Sequence, residues 1–343
     1  MKSFLKYAVS IILTVGFLYF AYQGADFPKL LDILSHTNYW WALAALPPLI
    51  LSHLLRTLRW EYLLRPVKKN LRFRNLWSAL IVGYMLNNLL PKVGELVRPL
   101  AINKLEKVPR SAAFGTLFVE RIFDILSFLI MVALLPLFYS GPLLQTFPWL
   151  SEAGIWITVL TLTILGVCIF FMVRRDIVVR VLEFFTRHLS DKRAKMISGI
   201  THSFLDGFLF VKEPRNYLVI GVLSILIWAL YLVMTYLPFY AFGMTTKYAL
   251  DFNAAFVLQT ISSLGYMVPT PGATGSYHYF TYETLTKLYH VDDELARSYA
   301  TVTHAVGFIG ITLIGLYYFW IDKLHMAEFR SRSEETENAV TGE

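Results

Sequence analysis

The sequence predicts an all-α integral membrane protein: a polytopic helical bundle of six full spans plus two re-entrant helical hairpins in an inverted-repeat arrangement. Three observations predict it. Hydrophobic residues make up 56% of the 343 positions and charged residues only 16%, with a mean hydropathy of +0.52, whereas a soluble domain carries roughly 25% charged residues. Apolar stretches that approach or exceed the roughly 20 residues needed to cross a bilayer core recur along the chain. Two segments, 84–98 and 266–280, place Pro, Gly and polar side chains inside apolar surroundings. Lipid tolerates such breaks only where the freed backbone groups face protein or a wet cavity, and a pair of them points to a substrate site near the membrane midplane.

Phe4–Tyr22 is the first apolar stretch; Lys2 and Lys6 flank it and no small-residue cleavage site follows, so it reads as a retained anchor and not a signal peptide. Tyr39–Leu55 is the second, opening on Tyr39, Trp40 and Trp41, which suit the interfacial aromatic belt. The first hairpin is expected over 75–104. Ala112–Tyr139, Ile155–Val173 and Tyr217–Phe242 are the next spans, the second hairpin is expected over 251–289, and Tyr299–Ile321 closes the bundle with aromatics at Tyr317–Trp320. The membrane domain thus covers 1–322, with a first half at 1–139, a second half at 153–322 and an amphipathic connector at 174–216.

Charge sets the orientation. If both hairpins enter and leave on one side, residues 1–6, 56–75, 104–110, 174–216 and 322–343 share a side and hold 24 of the 31 Lys and Arg residues. The positive-inside rule makes that side cytoplasmic, both termini included, in the inner membrane of a prokaryote. Treating 75–90 as a full span would push the basic 174–216 stretch outside. The second half then repeats the first upside down, an arrangement frequent in secondary transporters.

Within the connector, Val178, Val181, Leu182, Phe185 and Leu189, then Ile197, Ile200, Phe204 and Phe208, recur near helical spacing among basic residues. That pattern suits two helices on the cytoplasmic membrane surface, and equally a solvated tether. The Ser- and Glu-rich tail at 323–343 is predicted to be disordered. The net charge of +7 is spread between apolar stretches, which suits anionic lipid headgroups and not nucleic acid. The lone Cys168 excludes an intrachain disulfide or a Cys-based metal site.

Three sets of residues carry the chemistry. In the first hairpin, Asn87 and Asn88 precede Pro91, Lys92, Gly94, Glu95 and Arg98. Pro91 and Gly94 break the helix, and the new helix start attracts an anion such as a phosphate, to which Lys92 and Arg98 add charge; the alternative is that both cations snorkel and pair with Glu95. Glu120, Arg121 and Asp124 lie inside a long apolar run, where each lone ion costs roughly 2.5–3.5 kcal/mol. They are expected to face the bundle interior, as a network locking this helix to its neighbours, the Arg98 limb being one candidate, or as a proton or cation relay. In the second hairpin, Pro269, Pro271, Gly272 and Gly275 form the turn, Gln259, Ser262 and Ser263 precede it, and Tyr277, His278 and Glu283 follow. Asn87, Asn88, Pro91, Lys92, Gly94, Glu95, Arg98, Pro269, Pro271, Gly272, Gly275 and His278 are the expected substrate-binding residues. His278 could also sense or carry a proton, although a lone histidine beside tyrosines is more often structural, as is His304, and no residue reads as catalytic, as a metal ligand or as a cofactor anchor.

The blocks Asn87-Asn88-Leu89-Leu90-Pro91-Lys92-Val93-Gly94-Glu95-Leu96-Val97-Arg98, Glu120-Arg121-Ile122-Phe123-Asp124 and Pro269-Thr270-Pro271-Gly272-Ala273-Thr274-Gly275 resemble, in order, the signatures of the flippase-like family known as the lysylphosphatidylglycerol synthase transmembrane region. Lys92, where the family more often has Arg, and Ser276-Tyr277-His278-Tyr279 depart from the pattern. The resemblance implies a protein that moves a lipid between leaflets, without the soluble transferase domain fused to the family's synthases. The expected function is a flippase for an anionic phospholipid or polyprenyl phosphate. The alternatives are a membrane-embedded enzyme acting on a lipid phosphate, with Glu120 and Asp124 as metal ligands or as acid and base, and a scaffold for a separate lipid-modifying enzyme. The expected partners are membrane lipids; oligomers are compatible with all three.

Overall fold

The structure is a computed structural model that describes residues 2–139, 143–148, 191–207 and 214–324, with isolated positions between 141 and 177. Every regular element among them is helical: α1 (Lys2–Tyr22), α2 (Phe27–His36), α3 (Tyr39–Leu43), α4 (Leu46–Leu64), α5 (Phe73–Leu89), α6 (Val93–Glu106), α7 (Arg110–Phe138), α8 (Leu143–Thr146), α9 (Asp191–Asp206), α10 (Pro214–Ala241), α11 (Met244–Lys247), α12 (Phe252–Ser262), α13 (Ser276–Tyr289) and α14 (Asp293–Ile321), with 3-10 turns at Ser263–Met267 and Pro271–Ala273.

Four helical stretches among the described residues are long and apolar enough to cross a membrane: Tyr39–Leu64, Arg110–Phe138, Asn216–Ala241 and Asp293–Ile321. Ala8–Tyr22 and Phe27–His36 make a fifth only if taken together across their 85° bend. The expected span at 155–173 and the first connector helix fall largely outside the described residues. Large apolar side chains cover the outer surface, among them Ile12, Val15, Leu137, Leu218, Ile225 and Leu313, as lipid contact requires. Trp40 and Trp320 are 82% and 85% exposed and sit at opposite ends of the bundle.

The sequence expectation ends the second span at Leu55, but α4 continues to Leu64. Arg56 and Arg59 are therefore buried helix residues, 6% and 0% exposed, and not loop cations. The reason is the positions around them: Trp60, Leu63 and Leu64 continue the apolar face into a core shared with Leu76, Val97, Ile102 and Leu117. Without these two arginines, 22 of the 31 basic residues remain in the segments first grouped on one side.

Two antiparallel helical hairpins organise the interior. In the first, α5 and α6 turn at Leu90–Lys92, with Lys92 left-handed at φ 61°. Gly83 and Gly94 let the two backbones touch, since a Cβ on Gly94 would overlap the Gly83 carbonyl. At its base Glu106 accepts from the Asn75 amide at 2.6 Å and pairs with Lys68 at 3.3 Å. In the second, α12 and α13 are joined through the 3-10 turns, with Ser262 and Thr281 hydroxyls 3.0 Å apart across the pair.

The bases of the hairpins lie at opposite ends of the bundle. The α5–α6 base adjoins the end of α14, where Arg74 meets Asp322 at 2.5 Å and Lys104 donates to the Lys323 carbonyl. The α12–α13 base adjoins the ends of α7 and α10 and the start of α14: Tyr139 and Tyr289 rings are 6.0 Å apart, and Lys29 of α2 pairs with Asp292 at 2.8 Å. The first end carries Arg65, Lys68, Lys69, Arg72, Arg74, Lys104, Lys107 and Arg110; the other carries Asp26, Asp32, Asp251, Asp292, Asp293 and Glu294. Helix α9 is packed firmly against α7, with Gly115 so close that a Cβ there would meet the Phe204 carbonyl. Within the connector, the described helix Asp191–Asp206 is therefore docked against α7.

Candidate functional site

The site grows from a pair of charged stripes. Arg56 and Arg59, three apart on α4, face Glu120 and Asp124, four apart on α7, so each pair presents both members on one helix face. Arg56 Nη1 lies 3.2 Å from Glu120 Oε1 and 2.9 Å from Asp124 Oδ2, and Arg59 Nη2 lies 2.6 Å from Asp124 Oδ1. Arg98 on α6 closes the cluster with Nη1 and Nη2 on the two Glu120 oxygens at 3.3 and 2.9 Å. Its guanidinium also lies over the Trp60 ring, 4.4 Å from the centroid, a favourable cation–π arrangement. Glu120 and Arg59 are fully buried and Arg98 is 2% exposed.

Arg56 Nε donates to Tyr231 Oη at 2.7 Å and Arg59 Nη1 to Ser224 Oγ at 3.0 Å, so α10 belongs to the site as well. The His53 ring lies beside it, 4.5 Å from the Tyr84 ring and tilted 45° to it. Three buried nitrogens here, His53 Nδ1, Arg59 Nε and Arg98 Nε, have no hydrogen-bond partner.

Arg121 points to the rim. It approaches Asp124 at 3.5 Å, Glu120 at 3.7 Å and Glu95 at 3.9 Å, all longer than the roughly 2.7–2.9 Å of a strong charge-assisted bond. Its side chain is 38% exposed and that of Glu95 37%, while every other ion of the cluster is at most 13% exposed. Lys92, exposed at the hairpin turn, is close enough to interact electrostatically with both Glu95 and Arg121.

The structure brings Glu120, Arg121 and Asp124 together and pairs Glu120 with Arg98 of the first hairpin. Two expectations for the first hairpin change. Arg98 is engaged by Glu120 and not held open in a wet cavity. The α6 start is also less free than a bare helix N-terminus, because Asn87 Oδ1 accepts the Gly94 N–H at 2.8 Å and the Val93 N–H reaches the Leu90 carbonyl. The signal for the missed Arg56 and Arg59 is the buried pair on α7: two carboxylates at that depth demand cations from a neighbour.

The hairpin tips meet beside this cluster. Asn88 Nδ2 donates to the Phe308 carbonyl and to Thr312 Oγ1, both at 3.1 Å, tying the first tip to α14. Gly272 of the second tip sits against Asn88 and Phe308, where a Cβ would come within 3.1 and 2.9 Å of their side chains. Lys92 Nζ reaches the Tyr266 carbonyl at 3.5 Å. Pro91 occupies the first turn and Pro271 opens the second 3-10 turn. The Pro269 carbonyl accepts from Ser10 of α1 at 2.7 Å, and Gly275, at φ 85°, lies against the Thr14 carbonyl of α1.

The polar groups of the second hairpin are spent internally. Gln259 accepts from Thr235 at 2.5 Å and donates to Ser263 at 3.1 Å. His278 Nδ1 accepts the Gly275 N–H at 3.3 Å, and His304 Nε2 lies 2.8 Å from the Gly272 carbonyl. Both histidines thus contact the turn backbone, and His278, expected among the substrate-binding residues, is engaged there by Gly275. Among the described residues no three His, Cys, Asp or Glu side chains gather as metal ligands would.

The chain is 26% identical over 252 residues to a UPF0104 membrane protein of Methanocaldococcus jannaschii, covering 66% of this chain and 72% of that one. A UPF0104 membrane protein of Methanothermobacter thermautotrophicus is 28% identical over 233 residues, 65% and 68% of the two chains. The glycosyltransferase AglD of Haloferax volcanii is 22% identical over 332 residues, which cover 89% of this chain but only 52% of AglD. The model of the lysylphosphatidylglycerol synthase TM region matches residues 5–315, both hairpins and the ion cluster included, and the chain belongs to that family of multi-pass membrane proteins.

Proposed function

We propose that the protein moves a lipid with an anionic headgroup, a phospholipid or a polyprenyl phosphate, between the leaflets of a prokaryotic inner membrane. The observation that carries this reading is the meeting of two oppositely based hairpins beside a buried ion cluster. As re-entrant elements they would complete six spans in an inverted repeat, whose two packings open a midplane site to either side. The basic end then faces the cytoplasm with both termini, as the asymmetry of the two ends supports.

Orientation has a direct check. In a Cys168→Ala background, Asn70→Cys should resist a membrane-impermeant maleimide applied to intact cells and His36→Cys should react; the reverse pattern would overturn the orientation. Transport is tested by leaflet exchange of fluorescent phosphatidylglycerol and phosphatidylcholine in proteoliposomes. Exchange of the anionic lipid above protein-free vesicles is expected; exchange of neither lipid, nor of a fluorescent polyprenyl phosphate in the same assay, would sink the proposal. A second reading, a membrane module serving a separate lipid-modifying enzyme, is favoured by the name of AglD and by the 48% of AglD outside the match. It predicts exchange only with the partner enzyme present.

A further inference from the structure

We propose that Arg121, with Lys92 beside it, is a phosphate-binding subsite at the open edge of the ion cluster, and that Glu95 fills it as an internal competitor until the ligand arrives. The inference rests on the reading of an anionic lipid as cargo and deepens it to a residue. Its basis is a charge count. Arg56, Arg59, Arg98 and Arg121 with Lys92 bring five cations to a site where Glu95, Glu120 and Asp124 supply three carboxylates. A guanidinium does not shed its proton in a protein, so the surplus positive charge, which falls on the partly exposed Arg121 and the exposed Lys92, attracts an anion to that edge.

The geometry says which cation is to spare. Arg56, Arg59 and Arg98 each reach a carboxylate oxygen within 2.6–2.9 Å. Arg121 comes no closer than 3.5 Å and donates no hydrogen bond among the described residues. Its planar fork matches two oxygens of a phosphate, which a weak contact to Glu95 at 3.9 Å does not satisfy. Exposure agrees, since Arg121, Glu95 and Lys92 form the edge a ligand can reach. The ligand class is a phosphate carrying net negative charge; a choline cation on the same headgroup would be repelled by the surplus cations.

The test is titration calorimetry of the full-length protein in detergent with short-chain phosphatidylglycerol, short-chain phosphatidylcholine and inorganic phosphate. Arg121→Gln should weaken phosphatidylglycerol binding about tenfold and Arg121→Lys less, because Lys lacks the fork. Glu95→Gln should tighten it about threefold by removing the competitor. Arg121→Gln leaves Asp124 paired with Arg56 and Arg59, so no buried carboxylate is orphaned and the variant is expected to fold. A purely structural role would not give the two replacements opposite signs. Unchanged affinity in both, shifts in the same direction, or equal binding of phosphatidylcholine would overturn the subsite. Inorganic phosphate binding as tightly as the lipid would support the subsite and assign it to a soluble anion. Binding as described with no leaflet exchange would sink the transport reading alone; exchange with no effect of either replacement on binding would sink the subsite alone.

Discussion

Glu120→Gln is expected to destabilise the protein by about 3–5 kcal/mol, the range for breaking a buried ion pair from one side. Glu120 is fully buried and holds Arg98 through both carboxylate oxygens while also meeting Arg56. The neutral amide would leave Asp124 as the one remaining buried carboxylate against Arg56, Arg59 and Arg98. Adding Arg98→Met should restore part of the loss, since it removes a stranded cation and keeps an apolar stem of similar reach against Trp60. The measurement is thermal and denaturant unfolding of both variants and of Arg98→Met alone, combined as a double-mutant cycle. Strictly additive losses, or a Glu120→Gln variant within about 0.5 kcal/mol of the parent, would show that the pair does not organise the bundle.

The elements of the fold were largely legible because hydropathy and helix breakers are local signals. Helix pairs α5–α6 over 73–106 and α12–α13 over 252–289 lie where the sequence places its two hairpins at 75–104 and 251–289; their re-entry into the membrane is part of the proposal. Pro91, Gly94, Pro269 and Pro271 mark the turns at the level of single residues. Helix α2 was not legible: Phe27–His36 is short, carries four polar residues in ten and is bent 85° from α1, and no hydropathy window separates such a segment from a loop.

The site was legible on one side only. Glu120, Arg121 and Asp124 stand out because they interrupt an apolar run. Arg56 and Arg59 do not, because they fall where the apolar stretch of α4 gives way to mixed sequence, and a basic residue at that place usually begins a cytoplasmic loop. Only the fold shows that Trp60, Leu63 and Leu64 keep that turn in the core. Reading Arg98 as a free headgroup ligand had the same origin: sequence shows that a charge is present, while its partner lies 22 residues away on another helix. The surplus therefore passes to Arg121, which the helix periodicity places one residue off the buried Glu120 face, with the longer contacts and greater exposure that follow.

Gly94→Ala should be the most disruptive Gly→Ala change among the described residues, about 3 kcal/mol, at the upper end of the range for overpacking. Gly94 and Gly83 are the point of closest approach of α5 and α6, and the added Cβ would overlap the Gly83 carbonyl while lying 2.9 Å from Asn87 Oδ1. Neither neighbour can retreat easily, one being backbone and the other the acceptor of the Gly94 N–H. The limbs must part, as small-residue contacts between membrane helices exist to prevent, and Arg98, one turn beyond Gly94 on α6, moves away from Glu120. A control separates this from helix propensity. Gly221 on α10 has open space where a Cβ would go, so Gly221→Ala should be neutral or gain up to about 1 kcal/mol. Thermal unfolding of the two variants in the same detergent decides: a Gly94→Ala protein as stable as Gly221→Ala would mean that the hairpin does not close through these glycines and that Arg98 reaches Glu120 by another packing.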